Sequence, residues 1–375
     1  MRVLVAPDSF KGSASASDAA RAVAAGWRSA RPHDTVIELP QADGGEGTLD
    51  AIAAAGSWRS HRVRVTGPDR RSVYARWICN ENGSAVVELA ESSGITLMPA
   101  LSPVTATSRG TGEMLERALD SGVHDVQIAL GGSASTDGGF GLLCALGLRA
   151  FDSRGRLLDD ATAGALDAVA TVDATGLPPA PVGGVVALVD TTAPLFGPHG
   201  AAHVFGPQKG AGPAVRRYLD DRLRHWSDVL AAAGFTADPS TPGTGAAGGV
   251  GYALLCWGAR FTSGADHVMR RSGLRDRIPG ADLVLTGEGR FDDTSLNGKL
   301  VGRVLQECES AGTPAVVIAG QVAVDAPGHA VSLVDLAGTV DAALAEPLRW
   351  LREAGAASAR REYRRTAVGG YRHSR

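Results

Sequence analysis

Along most of the chain, short apolar runs alternate with segments in which apolar residues recur at helical spacing. Short apolar runs typical of buried strands occur at residues 2–6, 35–39, 125–130, 185–189, 282–286 and 315–318. Between them apolar residues recur at helical spacing, most clearly over residues 15–30 and 214–232. A repeated alternation of buried strands and amphipathic helices predicts an α/β fold with a parallel sheet.

The period changes between residues 62 and 89. Several strands follow one another there, separated by the turn sequences Gly67-Pro68-Asp69 and Asn82-Gly83. A Gly-, Pro- and Thr-rich stretch over residues 239–251 predicts a long functional loop that leads into a helix. The plain alternation of strand and helix returns near residue 280 and predicts that the parallel sheet resumes there.

Composition narrows the class of protein. The 375 residues predict two or three domains, and a net charge of −3 gives no basic excess of the kind that nucleic acids attract. No apolar run reaches membrane-spanning length, and the four cysteines lack metal-ligand spacing. We expect a cytoplasmic protein that binds neither membrane nor nucleic acid, with a solvated, arginine-rich end beyond residue 354.

Lysine is rare in this chain, which carries 37 basic residues but only Lys11, Lys209 and Lys299, each beside a glycine. Lysine is a compact point charge on a slim stem, so it suits a phosphate or carboxylate in a narrow pocket better than arginine does. The alternative is that these three survive by chance in an arginine-biased sequence. We predict that they are functional and that they contribute little to stability.

Polar, glycine-rich loops follow four of the predicted strands, at the strand ends where α/β sheets bind ligands. In the first, residues 6–13, Asp8 and Ser9 leave the strand while Lys11 and Ser13 open a helix. A helix N-terminus with an ammonium predicts an anion site. A simple strand–helix turn with a capping serine is the alternative.

The second and third loops bring acids and small residues. Residues 42–48 carry Asp43 among three glycines, which suits a metal, a hydroxyl group or close approach of a ligand, with a capping turn as the alternative. The third loop, residues 128–139, is predicted to cradle a phosphate or carboxylate with its small residues, Gly131, Gly132, Ser133 and Ser135. A plain turn is the alternative here.

The fourth loop, residues 283–292, continues to Gly298-Lys299 and mixes acids with bases, as phosphoryl transfer requires. Glu288 and Asp292 are the predicted magnesium ligands. The spacing of its glycines and lysine does not match a Walker loop. Elsewhere, Asp190 ends a strand and Lys209 lies on a turn that follows Gly206-Pro207.

Seven longer runs, in order along the chain, carry a family resemblance. They are APDSFKGS (6–13), ADGGEGT (42–48), ATSRGTGE (106–113), GGSASTDGG (131–139), VFGPQKGA (204–211), GAAGGVG (245–251) and TGEGRFD (286–292). Together they resemble the type I glycerate kinase family. Single glycine motifs are weak signals, whereas seven in order are specific, and two of the three lysines lie within them while Lys299 follows the last.

The resemblance implies ATP-dependent phosphorylation of D-glycerate, usually at the 2-hydroxyl, to give 2-phosphoglycerate. It also implies a Rossmann-like domain made from both chain ends, with residues 1–66 and 281–375, and an inserted α/β domain, residues 67–280. The active site would lie in the cleft between the two domains. We expect ATP and Mg²⁺ as cofactors and a monomer or homodimer.

Charge assigns provisional roles within these loops, since transfer between two anions needs positioning and neutralisation. The predicted catalytic residues are Asp190 as base, Lys11 and Lys209. Those predicted to bind substrate are Asp8, Ser9, Asp43 and Lys299. The charge pattern does not distinguish which acids hold metal from the one that accepts the hydroxyl proton.

Departures from the family pattern at residues 191–193 and 293–301 leave other functions open. One is a related kinase for another small 2-hydroxy acid, and a second is an inactive relative that senses a small molecule. A Rossmann oxidoreductase is disfavoured because no G-x-G-x-x-G follows the first strand.

Overall fold

The structure is a computed structural model that describes residues 1–296, 299–324, 326 and 329–369. Gly298, predicted to accompany Lys299, lies outside these residues, as do Arg372 and Arg375 of the basic end. The chain divides into two compact units. Unit 1 is Met1–Asp43, Asp50–Gly56 and Ala265–Arg375, and unit 2 is Gly44–Leu49 and Ser57–Gly264.

Strands and helices are numbered in chain order. The strands are β1 Arg2–Pro7, β2 Thr35–Glu38, β3 Trp58–Thr66, β4 Ser72–Asn80, β5 Ser84–Glu88, β6 Asp125–Ala129, β7 Arg149–Phe151, β8 Thr171–Asp173, β9 Val185–Leu188, β10 Arg260–Thr262, β11 Leu283–Phe291, β12 Ala315–Val322 and β13 His329–Ser332. The α-helices are α1 Ala16–Ala30, α2 Thr48–Ala53, α3 Ala90–Ser93, α4 Arg109–Asp120, α5 Phe140–Ala145, α6 Ala201–Phe205, α7 Pro213–Ala232, α8 Ala246–Cys256, α9 Gly264–Arg271, α10 Leu274–Arg277, α11 Asp293–Leu296, α12 Leu300–Ala311, α13 Leu333–Ala337, α14 Val340–Ala345 and α15 Pro347–Gly369. None of the helices in the described part of the chain combines the length and apolar character needed to span a membrane.

Unit 1 contains a five-stranded sheet in the order β13-β12-β11-β1-β2, and all its strands are parallel. Strand β1 from the start of the chain pairs with β11 from its last third, with Val3 opposite Leu283. This confirms the predicted α/β class with a parallel sheet built from both chain ends. Because the strand order reverses between β1 and β11, a crevice is expected outside their carboxyl ends.

Both faces of this sheet are covered, which explains why its strands are continuous apolar runs. Val3 and Val5 pack in one core with residues of α1 and α15, whereas Leu4 and Ala6 pack in another with residues of α9, α10 and α12. Alternate residues of one strand therefore serve opposite layers.

Helix α15 packs tightly against α1. A Cβ added to Gly26 would lie 1.9 Å from the carbonyl oxygen of Arg352, and one added to Gly355 would lie 2.2 Å from that of Val23. Ala354 and Ala359 are fully buried, so the expectation of a solvated end beyond residue 354 is wrong over this stretch. Small residues allow the two helices to approach each other. The arginines beyond residue 354 dominate the sequence pattern there, which is why it did not indicate a buried apolar face.

Unit 2 contains a six-stranded sheet in the order β10-β9-β6-β5-β4-β3. The pairs β3–β4 and β4–β5 are antiparallel and the rest are parallel, which confirms the run of consecutive strands predicted between residues 62 and 89. The junctions of the units fall after Gly56 and Gly264, earlier than residues 66 and 280. The whole of β3 pairs within unit 2, and Met269 and Ile278 contribute to the core of unit 1.

A break in α8 shapes the interior of unit 2. Ala247, Gly248 and Gly249 have left-handed backbone angles inside this helix, within the stretch predicted as a long loop. Gly138 donates its N–H to the carbonyl oxygen of Gly248 at 3.0 Å, and a Cβ on Gly248 would lie 2.1 Å from the carbonyl oxygen of Ser135. The break therefore lets α8 lie directly against residues 131–139.

Candidate active site

Unit 1 has a cavity of about 500 Å³. It opens outside the carboxyl ends of β1 and β11, where the strand order of the sheet reverses. Its lining includes nine polar and charged residues, namely Asp8, Ser9, Lys11, Ser13, Asp43, Glu288, Arg290, Asp292 and Lys299. Every residue of unit 1 that the sequence predicted as catalytic, substrate-binding or metal-binding thus lines one cavity.

The loop after β1 is held rigidly at its base. Asp8 donates its backbone N–H to the carbonyl oxygen of Gly287 at 2.8 Å, and the Asp8 carboxylate accepts the N–H of Ser9 at 2.6 Å. Phe10 is buried in the core and Ser13 donates its hydroxyl to the Phe10 carbonyl oxygen at 2.9 Å. Lys11 therefore extends, exposed, from a fixed turn.

Close approach of a neighbouring strand explains the glycine that precedes Glu288. A Cβ on Gly287 would lie 1.8 Å from the Ile318 carbonyl oxygen in β12. A Cβ on Gly289 would lie 3.5 Å from the backbone nitrogen of Lys11, which is an ordinary van der Waals contact. This part of β11 therefore lies beside the β1 loop.

Two carboxylates of this cavity, those of Asp8 and Glu288, are poorly compensated. Burial, the charge of Asp43 and that of Glu288 raise the pKa of Asp8 to about 7, against the opposing effects of the Ser9 N–H and Lys11. Burial also raises the pKa of Glu288, although Ser295, Lys299 and Lys11 lower it. The Oε1 atom of Glu288 is buried without a hydrogen-bond partner. A ligand that brings cationic charge or donors would satisfy these groups.

Asp292 differs from these two acids. Its Oδ1 accepts the hydroxyl of Thr294 at 2.6 Å and the Thr294 N–H at 3.0 Å, and these bonds lower its pKa. Lys299, at the N-cap of α12, is exposed. The described residues include no group of three acids, histidines or cysteines arranged to hold a metal ion. A metal in this cavity would therefore bind through fewer side chains together with ligand oxygens.

A second polar cluster lies within unit 2, around Lys209. This lysine is 2% exposed, and its ammonium donates to the Ser133 hydroxyl at 2.8 Å and to the carbonyl oxygen of Ser135. Burial lowers its pKa to about 7, and the charge of Asp137 opposes the shift. The Ser135 and Thr136 hydroxyls beside it are buried without hydrogen-bond partners. Three of the predicted residues, Lys209, Ser133 and Ser135, therefore come together.

Asp137 was not predicted as a site residue. It is fully buried and accepts the N–H and hydroxyl of Ser108, both at 2.8 Å, and the N–H groups of Gly139 and Gly141 at 3.2 and 3.3 Å. Burial raises its pKa and these four bonds oppose the rise. Asp137 thereby holds backbone N–H groups at the start of α5. An acid before Gly-Gly and an apolar helix was the available signal.

The other predicted groups of unit 2 lie at strand ends. Gly131 donates its N–H to the Gly44 carbonyl oxygen at 3.1 Å, and the carbonyl oxygen of Gly132 accepts the Ile95 N–H at 2.7 Å. Asp190 is exposed after β9, and its Oδ1 accepts the Gly264 N–H at 3.1 Å. The hydrogen bonds of Lys209 thus involve Ser133 and Ser135, whereas Asp190 bonds to Gly264.

Glu88 is a further residue that the sequence argument missed. It ends β5, is 3% exposed, and its two carboxylate oxygens accept the N–H groups of Gly47 and Leu49, both at 3.0 Å. Glu88 therefore fixes the loop that follows Asp43. An acid at the end of the apolar run Ala85-Val86-Val87 was the signal for a buried, paired carboxylate.

Comparison with known proteins places this site in a family. A model of the glycerate kinase family matches residues 3–361. Glycerate 2-kinase of Escherichia coli K12 is 39% identical over 330 residues, which cover 87% of this chain and 86% of the relative. Glycerate kinase of Bacillus subtilis 168 is 38% identical over 330 residues, with the same coverage.

A solved structure agrees with these relatives. The crystal structure of a candidate glycerate kinase 2 from Salmonella typhimurium LT2 superimposes with a TM-score of 0.82 at 34% identity, covering 99% of both chains. The resemblance inferred from the seven motifs is confirmed. The chain belongs to the glycerate kinase family of enzymes.

Proposed function

We propose that this enzyme transfers the terminal phosphoryl group of ATP to the 2-hydroxyl of D-glycerate and releases 2-phosphoglycerate. Membership of a kinase family implies a nucleotide substrate, and the Escherichia coli relative named glycerate 2-kinase supports the choice of hydroxyl. The observation that carries the proposal is the cavity of unit 1. It combines three cations with four carboxylates at the switch point of a parallel sheet.

Charge neutralisation is the first requirement of such a reaction, because both substrates are anions. Lys11, Arg290 and Lys299 line the cavity and would hold phosphate oxygens or the glycerate carboxylate. Ser9 and Asp43 line the same cavity and would bind the glycerate hydroxyls. This arrangement favours phosphoryl transfer, which depends mainly on positioning and electrostatics.

Glu288 and Asp292 are the residues that would hold Mg²⁺. Glu288 has a buried oxygen without a partner, and Asp292 has its pKa lowered so that it stays ionised. Two carboxylates completed by phosphate oxygens and water are the usual environment of magnesium in kinases. When bound, the ion supplies positive charge next to the transferred phosphoryl group.

Two acids are candidates to accept the proton of the substrate hydroxyl. Asp190 remains our sequence-based candidate, and it lies exposed at the end of β9. Asp8 is the second, because it lines the cavity and its pKa of about 7 is close to the working pH that favours a general base. Asp8→Asn and Asp190→Asn, compared for kcat at saturating substrates, identify the base by the larger loss.

Lys209 and the loop of Gly131, Gly132, Ser133 and Ser135 form the second part of the proposed machinery. The ammonium of Lys209 fixes this loop by donating hydrogen bonds to the Ser133 hydroxyl and the Ser135 carbonyl oxygen. The unpartnered hydroxyls of Ser135 and Thr136 are donors that an anion would satisfy. We assign this loop to phosphate binding and Lys209 to its support.

The deciding experiment is turnover of purified protein with D-glycerate and Mg-ATP, with L-glycerate as the matched control. Phosphorus NMR of the product should show 2-phosphoglycerate, and a signal from 3-phosphoglycerate alone would contradict the choice of hydroxyl. Turnover only with another 2-hydroxy acid would make the enzyme a related kinase. Binding of glycerate without any turnover would make it a sensor.

A further inference from the structure

The cavity of unit 1 has a second half that the reacting groups do not use. Besides its charged residues, the lining includes aliphatic side chains from α13, α14 and the first residue of α15. These residues are Leu333, Val334, Val340, Ala343, Leu344 and Pro347. We call these six residues the apolar half of the cavity and the charged residues of its lining the charged half.

The apolar half is partly open to solvent. Leu333 and Ala343 are 2% and 6% exposed and form its base, whereas Val340 and Leu344 are 45% and 58% exposed. Large apolar side chains left exposed along a cavity are typical of a ligand-binding surface. Leu344 and Val340 lie four residues apart on α14, so they occupy one face of that helix.

Binding of glycerate does not explain these apolar side chains. It is a three-carbon hydroxy acid that presents polar groups on every carbon, so it has no apolar surface to bury. The cavity of about 500 Å³ also falls within the range of about 300–1,000 Å³ that is usual for cofactor-sized ligands. The occupant of the apolar half is therefore a larger molecule with one apolar, planar or hydrocarbon part.

We propose that the apolar half of the cavity binds the base of the nucleotide. The inference rests on the proposed function, since it assigns the phosphates of the same molecule to the charged half. Lys11, Arg290 and Lys299 line the same cavity, so a nucleotide can reach both halves. Gln321 is the only amide among the lining residues that the structure describes, and it offers a donor and an acceptor to the edge of the base.

The test is the double variant Val340→Thr/Leu344→Gln, which removes apolar surface without adding charge. Leu348→Gln is the matched control, because Leu348 is 46% exposed but does not line the cavity. Calorimetric titrations of the full-length protein use ATP and inorganic tripolyphosphate, both with magnesium and without glycerate. Tripolyphosphate carries the phosphates without a base.

We expect the double variant to raise the Kd of ATP about tenfold, equivalent to about 1.4 kcal/mol, and to leave the Kd of tripolyphosphate within about twofold. Leu348→Gln should change neither constant. An unchanged Kd for ATP, or an equal loss for ATP and tripolyphosphate, overturns the assignment. So does a change in sedimentation with unchanged ATP binding, since the apolar half would then be an interface between copies of the chain.

Folding and function are controlled separately. Both substituted side chains are exposed, and thermal unfolding checks that the variants remain folded; Val340→Thr alone is the milder substitution if the double variant melts early. Because the titrations contain no glycerate, they report on base binding even if glycerate is not phosphorylated. Glycerate turnover combined with unchanged ATP binding in the double variant would overturn this inference and leave the proposed function standing.

Discussion

The three lysines, which share one pattern in the sequence, occupy two different environments. Lys11 and Lys299 are exposed side chains that line the cavity of unit 1. Lys209 is buried and hydrogen-bonded inside unit 2. The sequence could indicate that lysine was retained for a reason, because its rarity is visible in the composition. It could not separate a ligand-facing cation from a buried one, since burial depends on contacts between distant residues.

We expect Lys209→Arg to lower both activity and stability. The wider guanidinium overpacks the site, at a cost of roughly 1–3 kcal/mol, and displaces the Ser133–Ser135 loop, lowering kcat/KM by about 10- to 1,000-fold. Because the pKa of Lys209 is about 7, the wild type loses this buried charge as the pH rises toward 10, whereas arginine keeps it. The difference in free energy of unfolding should therefore widen from pH 7 to pH 10.

The control is Lys299→Arg. Because Lys299 is exposed, this substitution should leave the melting temperature unchanged while still lowering activity. Urea denaturation at several pH values and steady-state kinetics check both variants. A Lys209→Arg protein with wild-type stability and kinetics would contradict the role assigned to this lysine. The expectation that the lysines contribute little to stability assumed exposed side chains, and Lys209 at 2% exposure does not meet that condition.

Asp8→Asn should stabilise the protein and inactivate it. The pKa of Asp8 is raised from 3.8 to about 7, so folding binds a proton between these values and the wild type loses stability as the pH rises through them. Asparagine carries no charge to desolvate. The variant should therefore gain roughly 1–4 kcal/mol in free energy of unfolding at pH 8 and little at pH 4.5. If Asp8 accepts the substrate proton, kcat falls about 10²- to 10⁴-fold. An equal gain in free energy of unfolding at pH 8 and at pH 4.5 would contradict the raised pKa of Asp8.

At the level of elements, strand ends were the most predictable part of the molecule. The apolar runs of β1, β2 and β6 and the glycine-rich loops after them are local signals, and the structure has strands at all three. The fourth predicted loop, residues 283–292, is instead largely strand, because Gly287, Glu288 and Arg290 continue β11 and pair with β12. The broken helix α8 was not predictable in the same way. Residues 239–251 suggested a loop, and only contacts with residues 135–138 show why the chain takes left-handed angles there.

Gly248→Ala tests how strictly that break positions the Ser133–Ser135 loop. Gly248 has φ +70° and a Cβ there would lie 2.1 Å from the Ser135 carbonyl oxygen, so the loop must shift. Gly312→Ala is the matched control, with φ +68° and no atom within 4 Å of the added Cβ. We expect the control to lose about 1–2 kcal/mol from its backbone angle alone and Gly248→Ala to lose more, together with activity. Equal losses in thermal unfolding would show that the contact does not matter.

At the level of the whole molecule, the local pattern predicted the class of fold, whereas the two-domain division came from the family resemblance. Parallel sheets need long crossovers, so the alternation of strands and helices was sufficient to predict the α/β class. The junction at Gly264 depends on where Met269, Leu274 and Ile278 pack, and apolar helices give no sign of which core they join. Strands β1 and β11 pair although about three-quarters of the chain separates them. This pairing was predicted from the family resemblance, because the local sequence of a strand does not specify which distant strand it pairs with.

Residues 57–264 expressed alone should fold, because one continuous core of unit 2 lies within them. The fragment lacks residues 44–49, so Glu88 loses the N–H groups of Gly47 and Leu49 while remaining in an apolar strand. Glu88→Gln should therefore have only a small effect on the melting temperature of the fragment, because those two bonds are already absent there. In the full chain the same substitution leaves one of the two N–H groups facing an amide NH₂ and should lower the melting temperature more. A smaller loss in the fragment than in the full chain would show that Glu88 stabilises the molecule through that loop, whereas equal losses would contradict it.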